Sequence, residues 1–180
     1  ETVLIPSKGR LTQCISTQVG CNFKCAFCAS GQYGRVRNLT AAEIVGQVMV
    51  ACDRMRASEK GEMGAENLPG KKVELPRPGN IVVMGMGEPF LNYDNVMSAI
   101  KILNDKDGLN IGARHISIST IGITEGIKTL ANEKLQVNLA VSLHAPNNEL
   151  RGKIVPMNQQ YPLESILKIV DFYIQKTNRQ

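Results

Sequence analysis

The chain has 180 residues, enough for one domain with a real core, and 43% of them are hydrophobic, which excludes a chain disordered as a whole. Aromatic residues make up 4% with no Trp, so a platform that stacks several bases is not expected. The formal charge of +5 is compatible with a polyanionic partner without demanding one.

Five cysteines, three of them inside one eight-residue stretch, argue against a secreted disulfide framework and for a reducing compartment. No apolar run approaches the roughly 18–20 residues of a membrane helix, and no signal-peptide pattern opens the chain. The sequence begins at Glu1 and stops at Gln180 directly after a helical pattern, so a piece cut at both ends is expected.

In chain order, residues 3–6 read as a short extended segment and Lys8-Gly9-Arg10 as a turn. Residues 11–18 have the β-branched content of a first strand, and the cysteine loop follows it directly. Thr40 with Glu43 three residues on forms a capping box, and Ile44, Val45, Val48 and Met49 recur at helical spacing, so a helix is expected over 41–56. Residues 57–79 mix Gly, Pro, Lys and Glu without a period and read as a mobile insertion.

A repeating unit then follows. A strand over 80–84 ends in Gly85-Met86-Gly87-Glu88-Pro89, and Asp94 is placed to cap a helix through Val96, Ile100 and Leu103. A strand over 115–120 leads to a helix over 124–132, and a strand over 136–142 leads to Leu143-His144-Ala145-Pro146. A helical turn over 150–155 and a helix over 162–176, with Ile166, Ile169, Val170 and Tyr173 on its inner face, close the chain. Strand then helix, four times, means parallel strands with crossover helices. The expected fold class is α/β, a partial TIM-like barrel truncated before its last strands, because four strands cannot close a barrel. An exposed strand edge after Ser142 follows.

Cys21, Cys25 and Cys28 have C-x3-C-x2-C spacing. Three thiolates can each hold one iron of a cubane 4Fe–4S cluster, which leaves the fourth iron open for a ligand. The same cysteines fit a zinc site completed by Cys14, Cys52, His115 or His144, or a set of buried, inert thiols. Ligands in parallel α/β folds gather at the C-terminal ends of the strands. Each notable cluster lies at such an end: the cysteines after the first strand, the glycine loop after the second, Ser119 and Thr120 at the third, Ser142 and His144 at the fourth.

Taken together, the cysteine loop and the Gly-Glu-Pro loop resemble the radical S-adenosylmethionine (SAM) superfamily. Gln18-Val19-Gly20-Cys21, Arg37-Asn38-Leu39-Thr40, Gly85-Met86-Gly87-Glu88-Pro89, Ser119-Thr120 and Ser142-Leu143-His144-Ala145-Pro146 resemble its RlmN/Cfr family. The resemblance covers nearly the whole chain apart from 57–79.

The resemblance implies that Cys21, Cys25 and Cys28 hold a 4Fe–4S cluster and that SAM chelates its open iron. It implies that Gly87, Glu88, Ser119, Ser142, Leu143 and His144 bind SAM, that Cys14 helps resolve a protein–RNA adduct, and that Glu1 accepts a proton. The implied reaction methylates an adenine carbon of 23S ribosomal RNA, C2 favoured over C8, with tRNA left open as a second substrate. A methyl passes first to a second cysteine, expected beyond Gln180, and then to the base by a 5′-deoxyadenosyl radical route. The fragment alone is therefore expected to bind cofactors without methylating RNA. An electron donor to reduce the cluster, a monomeric state, and a cytoplasmic location, with the plastid stroma as alternative, complete the expectation. Cys52 reads as packing. Lys8, Arg10, Lys24, Arg35 and Arg37 around the loop read equally as an RNA contact or as a solvated rim.

Overall fold

The computed structural model describes residues 1–8, 10–62 and 76–178. Its centre is a five-stranded sheet in the order β1-β2-β5-β6-β7. Strands β1 (Thr2–Ser7) and β2 (Arg10–Ile15) form an antiparallel hairpin, and Gly9 between them lies outside the described residues. Strands β5 (Asn80–Val83), β6 (Ile116–Thr120) and β7 (Asn138–Val141) run parallel to β2 and to each other. The crossovers are helices α1 (Ala41–Glu62), α2 (Tyr93–Asn104) and α3 (Thr124–Leu130), and α4 (Asn148–Ile154) and α5 (Leu163–Thr177) follow β7. The strand–helix alternation is as expected, and β7 is the last strand of the order among the described residues.

Period-two patterning sets the two faces of the sheet. Ile81 and Val83 on β5 and Ile116 and Ile118 on β6 are buried in one core with Ile44 and Val48 of α1 and Val96, Ile100 and Leu103 of α2. Burying side chains of this kind contributes roughly 1.5–3 kcal/mol each. The register on the opposite face aligns Cys14, Val82, Ser117 and Asn138 in one half-buried row of small and polar residues.

Several boundaries differ from expectation. The first strand stops at Ile15, because Ser16 turns the chain: its N–H bonds the Gln47 side chain and its hydroxyl bonds the Glu1 carbonyl. Gln18–Val19 instead forms β3 and pairs with β4 (Arg37–Asn38) in a separate two-stranded sheet. The capping box at Thr40 and Glu43 is present, with reciprocal bonds of 2.9 and 3.2 Å. Helix α1 runs to Glu62, so the first residues of the expected 57–79 insertion are helical, and 63–75 lie outside the described residues. Asp94 does not cap α2, which starts one residue earlier at Tyr93 and leaves Asp94 in its first turn. His115 lies in a single 3-10 turn before β6, held by a bond from its ring to Asn80. Among the described residues, no helix is long and apolar enough to cross a membrane.

Candidate cluster and cofactor site

Pairing of β3 with β4 brings the two ends of the cysteine loop together. The loop is fastened further by its Ala26 N–H, which donates to the Ile154 carbonyl of α4 at 2.9 Å. Cys21 and Cys25 are buried and Cys28 is half-buried. Burial pushes the Cys25 thiol up to about 11, with Cys28 and Cys21 adding to the shift and Arg151 opposing it. Burial raises Cys21 as well, against hydrogen bonds from the Phe23 and Asn22 backbone. Binding to a metal supplies the positive charge that such thiolates lack.

The Gly-Glu-Pro loop is held to the same region by backbone. The Met86 carbonyl accepts the N–H groups of Thr17 at 2.9 Å and Gln18 at 3.1 Å, and the Glu88 N–H donates to Gln18 Oε1 at 3.0 Å. Gly87 has φ +99, and a Cβ there would lie 2.6 Å from the Gln18 side chain. Close approach of the two chain segments therefore requires the glycine. Glu88 is buried, and its carboxylate accepts from Phe90 N–H at 3.2 Å and Ile121 N–H at 2.9 Å. Burial pushes its pKa up, opposed by the Ile121 N–H, the Thr120 hydroxyl and the Phe90 N–H.

These parts enclose one cavity of about 250 Å³ at the C-terminal ends of β5, β6 and β7. Cys21, Cys25 and Cys28 form one wall, and Met84, Gly85, Gly87 and Glu88 another. Ser119 and Ser142 face each other with hydroxyls 3.1 Å apart. The rings of Phe27 and His144 lie 4.1 Å apart at 44°, also on the wall. His144 is held at φ +60, a left-handed backbone that costs a non-glycine residue of order 1 kcal/mol and recurs at functional sites.

Eight of the residues singled out from sequence thus share one cavity: the three cysteines, Gly87, Glu88, Ser119, Ser142 and His144. Leu143 does not line it. Its side chain enters an apolar groove of about 340 Å³ between β7 and α5, and its carbonyl accepts from Arg151. Cys14 and Glu1 flank the cavity rather than line it. Burial raises the Cys14 thiol, the Met84 backbone opposes this and the Glu1 charge adds to it; Thr2, next to Glu1, donates its hydroxyl to the Cys14 carbonyl at 2.6 Å. Of the other candidates for a fourth zinc ligand, Cys52 is fully buried in the helix-side core and His115 stands at the start of β6. Among the described residues, no three His, Cys, Asp or Glu side chains converge on a single ion. A three-thiol donor set spread along one wall, beside an open cavity, fits a cluster of several irons with one left free.

Sequence reading missed Phe27 and Arg151. The aromatic was visible inside the cysteine spacing, whereas nothing local marks an arginine on a short helix as buried.

Comparison with known proteins agrees with this geometry. The sequence pattern of the Radical SAM superfamily matches residues 52–178. A crystal structure of a radical SAM methyltransferase from Sphaerobacter thermophilus superposes with a TM-score of 0.87 at 45% identity, covering 99% of this chain and 48% of that one. The chain is 52% identical over all 180 residues to "Probable dual-specificity RNA methyltransferase RlmN" of Caldicellulosiruptor saccharolyticus, covering 47% of that protein. It is 48% identical to the protein of the same name in Streptococcus thermophilus, covering 43% of it. The chain spans about half the length of the curated relatives it matches.

Proposed function

This chain belongs to the radical SAM superfamily, and from that premise we propose that it is the core of an RNA methyltransferase of the RlmN kind, acting on an adenine carbon. The single observation that carries the reading is the cavity that three cysteines share with Gly87, Glu88, Ser119, Ser142 and His144. The names of the relatives support RNA as the substrate class. Within that class we favour C2 of an adenine in 23S ribosomal RNA, with tRNA as the second substrate that "dual-specificity" suggests.

When bound, a 4Fe–4S cluster and SAM supply a one-electron reductant and a carbon-centred radical, chemistry that no side chain offers. The chain's own residues hold and enclose. Cys21, Cys25 and Cys28 would ligate three irons. The tight loop at Gly87 keeps bare backbone on the cavity wall, where a polar ligand can bond to it. The Ser119–Ser142 hydroxyl pair offers a donor and free lone pairs at the strand ends. Phe27 and His144 close one side with ring surface and limit water. Cys14 on β2 and Glu1 at the start of the hairpin that β1 makes with it would be a thiol and a proton acceptor that serve the later steps. Cys52, fully buried, is unsuited to carrying a methyl, so that role falls to a cysteine outside these residues. An electron donor to reduce the cluster, action as a monomer, and a reducing location in the cytoplasm or plastid stroma belong to the same proposal.

The test uses the full-length protein, reconstituted anaerobically with iron and sulfide. Electron paramagnetic resonance of the reduced protein is expected to show a 4Fe–4S signal that shifts on adding SAM. Mass spectrometry of digested RNA is then expected to show methylated adenosine. Tightly bound zinc with no cluster would overturn the reading, and a SAM-responsive cluster without an RNA product would overturn its substrate.

A further inference from the structure

Arg151 of α4 has 0% of its surface exposed. Its Nε donates to the Leu143 carbonyl at 3.1 Å, Nη1 to Asn158 Oδ1 at 2.8 Å and the Tyr161 carbonyl at 2.9 Å, and Nη2 to the Ile121 carbonyl at 2.6 Å. Every acceptor is neutral, and among the described residues no carboxylate pairs with it. A guanidinium stays charged in a protein, and a buried charge without compensation is strongly destabilising. The four hydrogen bonds satisfy its donors, but they do not balance its charge.

Ile121 lines the cavity, and Leu143 lies between Ser142 and His144, which also line it. The helix that carries Arg151 also holds the cysteine loop, through the Ala26–Ile154 bond.

We propose that Arg151 is the fixed counter-charge of a cluster held by Cys21, Cys25 and Cys28, a positioning residue that favours the reduced over the oxidised cluster. The inference rests on the cluster reading given above. Three thiolates give the bound cluster negative charge, and each electron from an external one-electron donor adds one more unit. A cation fixed in a low-dielectric wall stabilises the more negative state more strongly. Arg151 itself exchanges neither electron nor proton.

The experiment is a potentiometric titration of the cluster signal in the full-length protein, anaerobically loaded with iron and sulfide. Asn158→Asp keeps the arginine and the side-chain size while placing a carboxylate at the present 2.8 Å contact with Nη1, at the loss of the Asn158 Nδ2 bond to the Asn148 carbonyl. It is expected to lower the reduced-to-oxidised ratio at a fixed potential by on the order of tenfold, which is about 59 mV for one electron. Arg151→Met is expected to shift in the same direction, and Arg151→Lys to retain the native potential. An intact cluster with unchanged potential in Asn158→Asp overturns the proposal and leaves the cluster reading standing, even if Arg151→Met fails to fold. Absence of any cluster in the unmodified protein overturns both.

Discussion

Glu88 and Ile121 join two strand ends with one hydrogen bond: the buried carboxylate Oε2 accepts the Ile121 N–H at 2.9 Å. Its other oxygen accepts the Phe90 N–H at 3.2 Å. The side chain is thus occupied in fastening the loop after β5 to the end of β6. Glu88 shapes the cavity that it lines.

Glu88→Gln should therefore destabilise the protein even without cofactor. The amide can accept at one end, but its NH2 then faces a donor, and an unsatisfied buried group costs about 1–3 kcal/mol. The pH dependence has a definite sign. The carboxyl's pKa is raised in the folded state, so the proton is held more tightly there. Its contribution is fully present below the ordinary value of 4.5 and is lost as pH rises through the folded pKa. Urea denaturation across pH should show stability declining above about 4.5 in the native protein and a flatter profile in the variant. Unchanged cofactor-free stability would make Glu88 a ligand-facing residue after all.

Two glycines give opposite expectations. At Gly87, φ +99 and a Cβ 2.6 Å from Gln18 make Gly87→Ala costly, with backbone strain alone on the order of 1–3 kcal/mol. At Gly46, inside α1, an added methyl meets nothing within 4 Å. Gly46→Ala should stabilise by roughly 0.5–1 kcal/mol. Thermal melts of both variants check the pair. Calorimetry with SAM should show lost binding only for Gly87→Ala.

The five cysteines should separate by function. Single Cys→Ala changes at 21, 25 or 28 should abolish the 4Fe–4S signal and most bound iron after reconstitution. Cys14→Ala and Cys52→Ala should keep both, because neither lines the cavity. Iron and sulfide analysis decides it, and a cluster that survives loss of Cys28 would contradict the ligand set.

The basic rim is not uniform. Arg37 grips Glu43 with two bonds of 2.8 and 2.7 Å, and the Glu43 carboxyl is held down at about 2, by Arg37 first and the Thr40 N–H second. This stabilisation is present above the ordinary 4.5 and is lost as pH falls toward about 2. Carboxyl NMR titration should place Glu43 near 2 and return it to the ordinary range in Arg37→Ala. Arg35 is exposed, and one of its nitrogens bonds Asn38 Oδ1 at 3.1 Å. Arg35→Ala in the full-length protein should weaken RNA binding regardless of sequence and reduce the salt slope by about 1. Unchanged affinity and slope would leave Arg35 a solvated rim residue.

What the sequence determined by itself is what acts over a few residues. Cysteine spacing marks the donor set, alternation and helical spacing mark the repeated strand–helix unit, and the connection rules place Cys21, Gly87, Ser119 and Ser142 at one end of the sheet. The tertiary structure decided what depends on partners far apart in the chain. Glu88 and Ile121 are 33 residues apart, and only folding turns a conspicuous carboxylate into a fastening. Leu143, between two cavity residues, points into the opposite groove, since successive side chains of extended chain alternate. Arg151 reads locally as a surface residue of a short polar helix. It is buried because carbonyls of Ile121, Leu143 and Tyr161 meet around it. Burial and electrostatics are sums over the whole fold, and no window of sequence contains them.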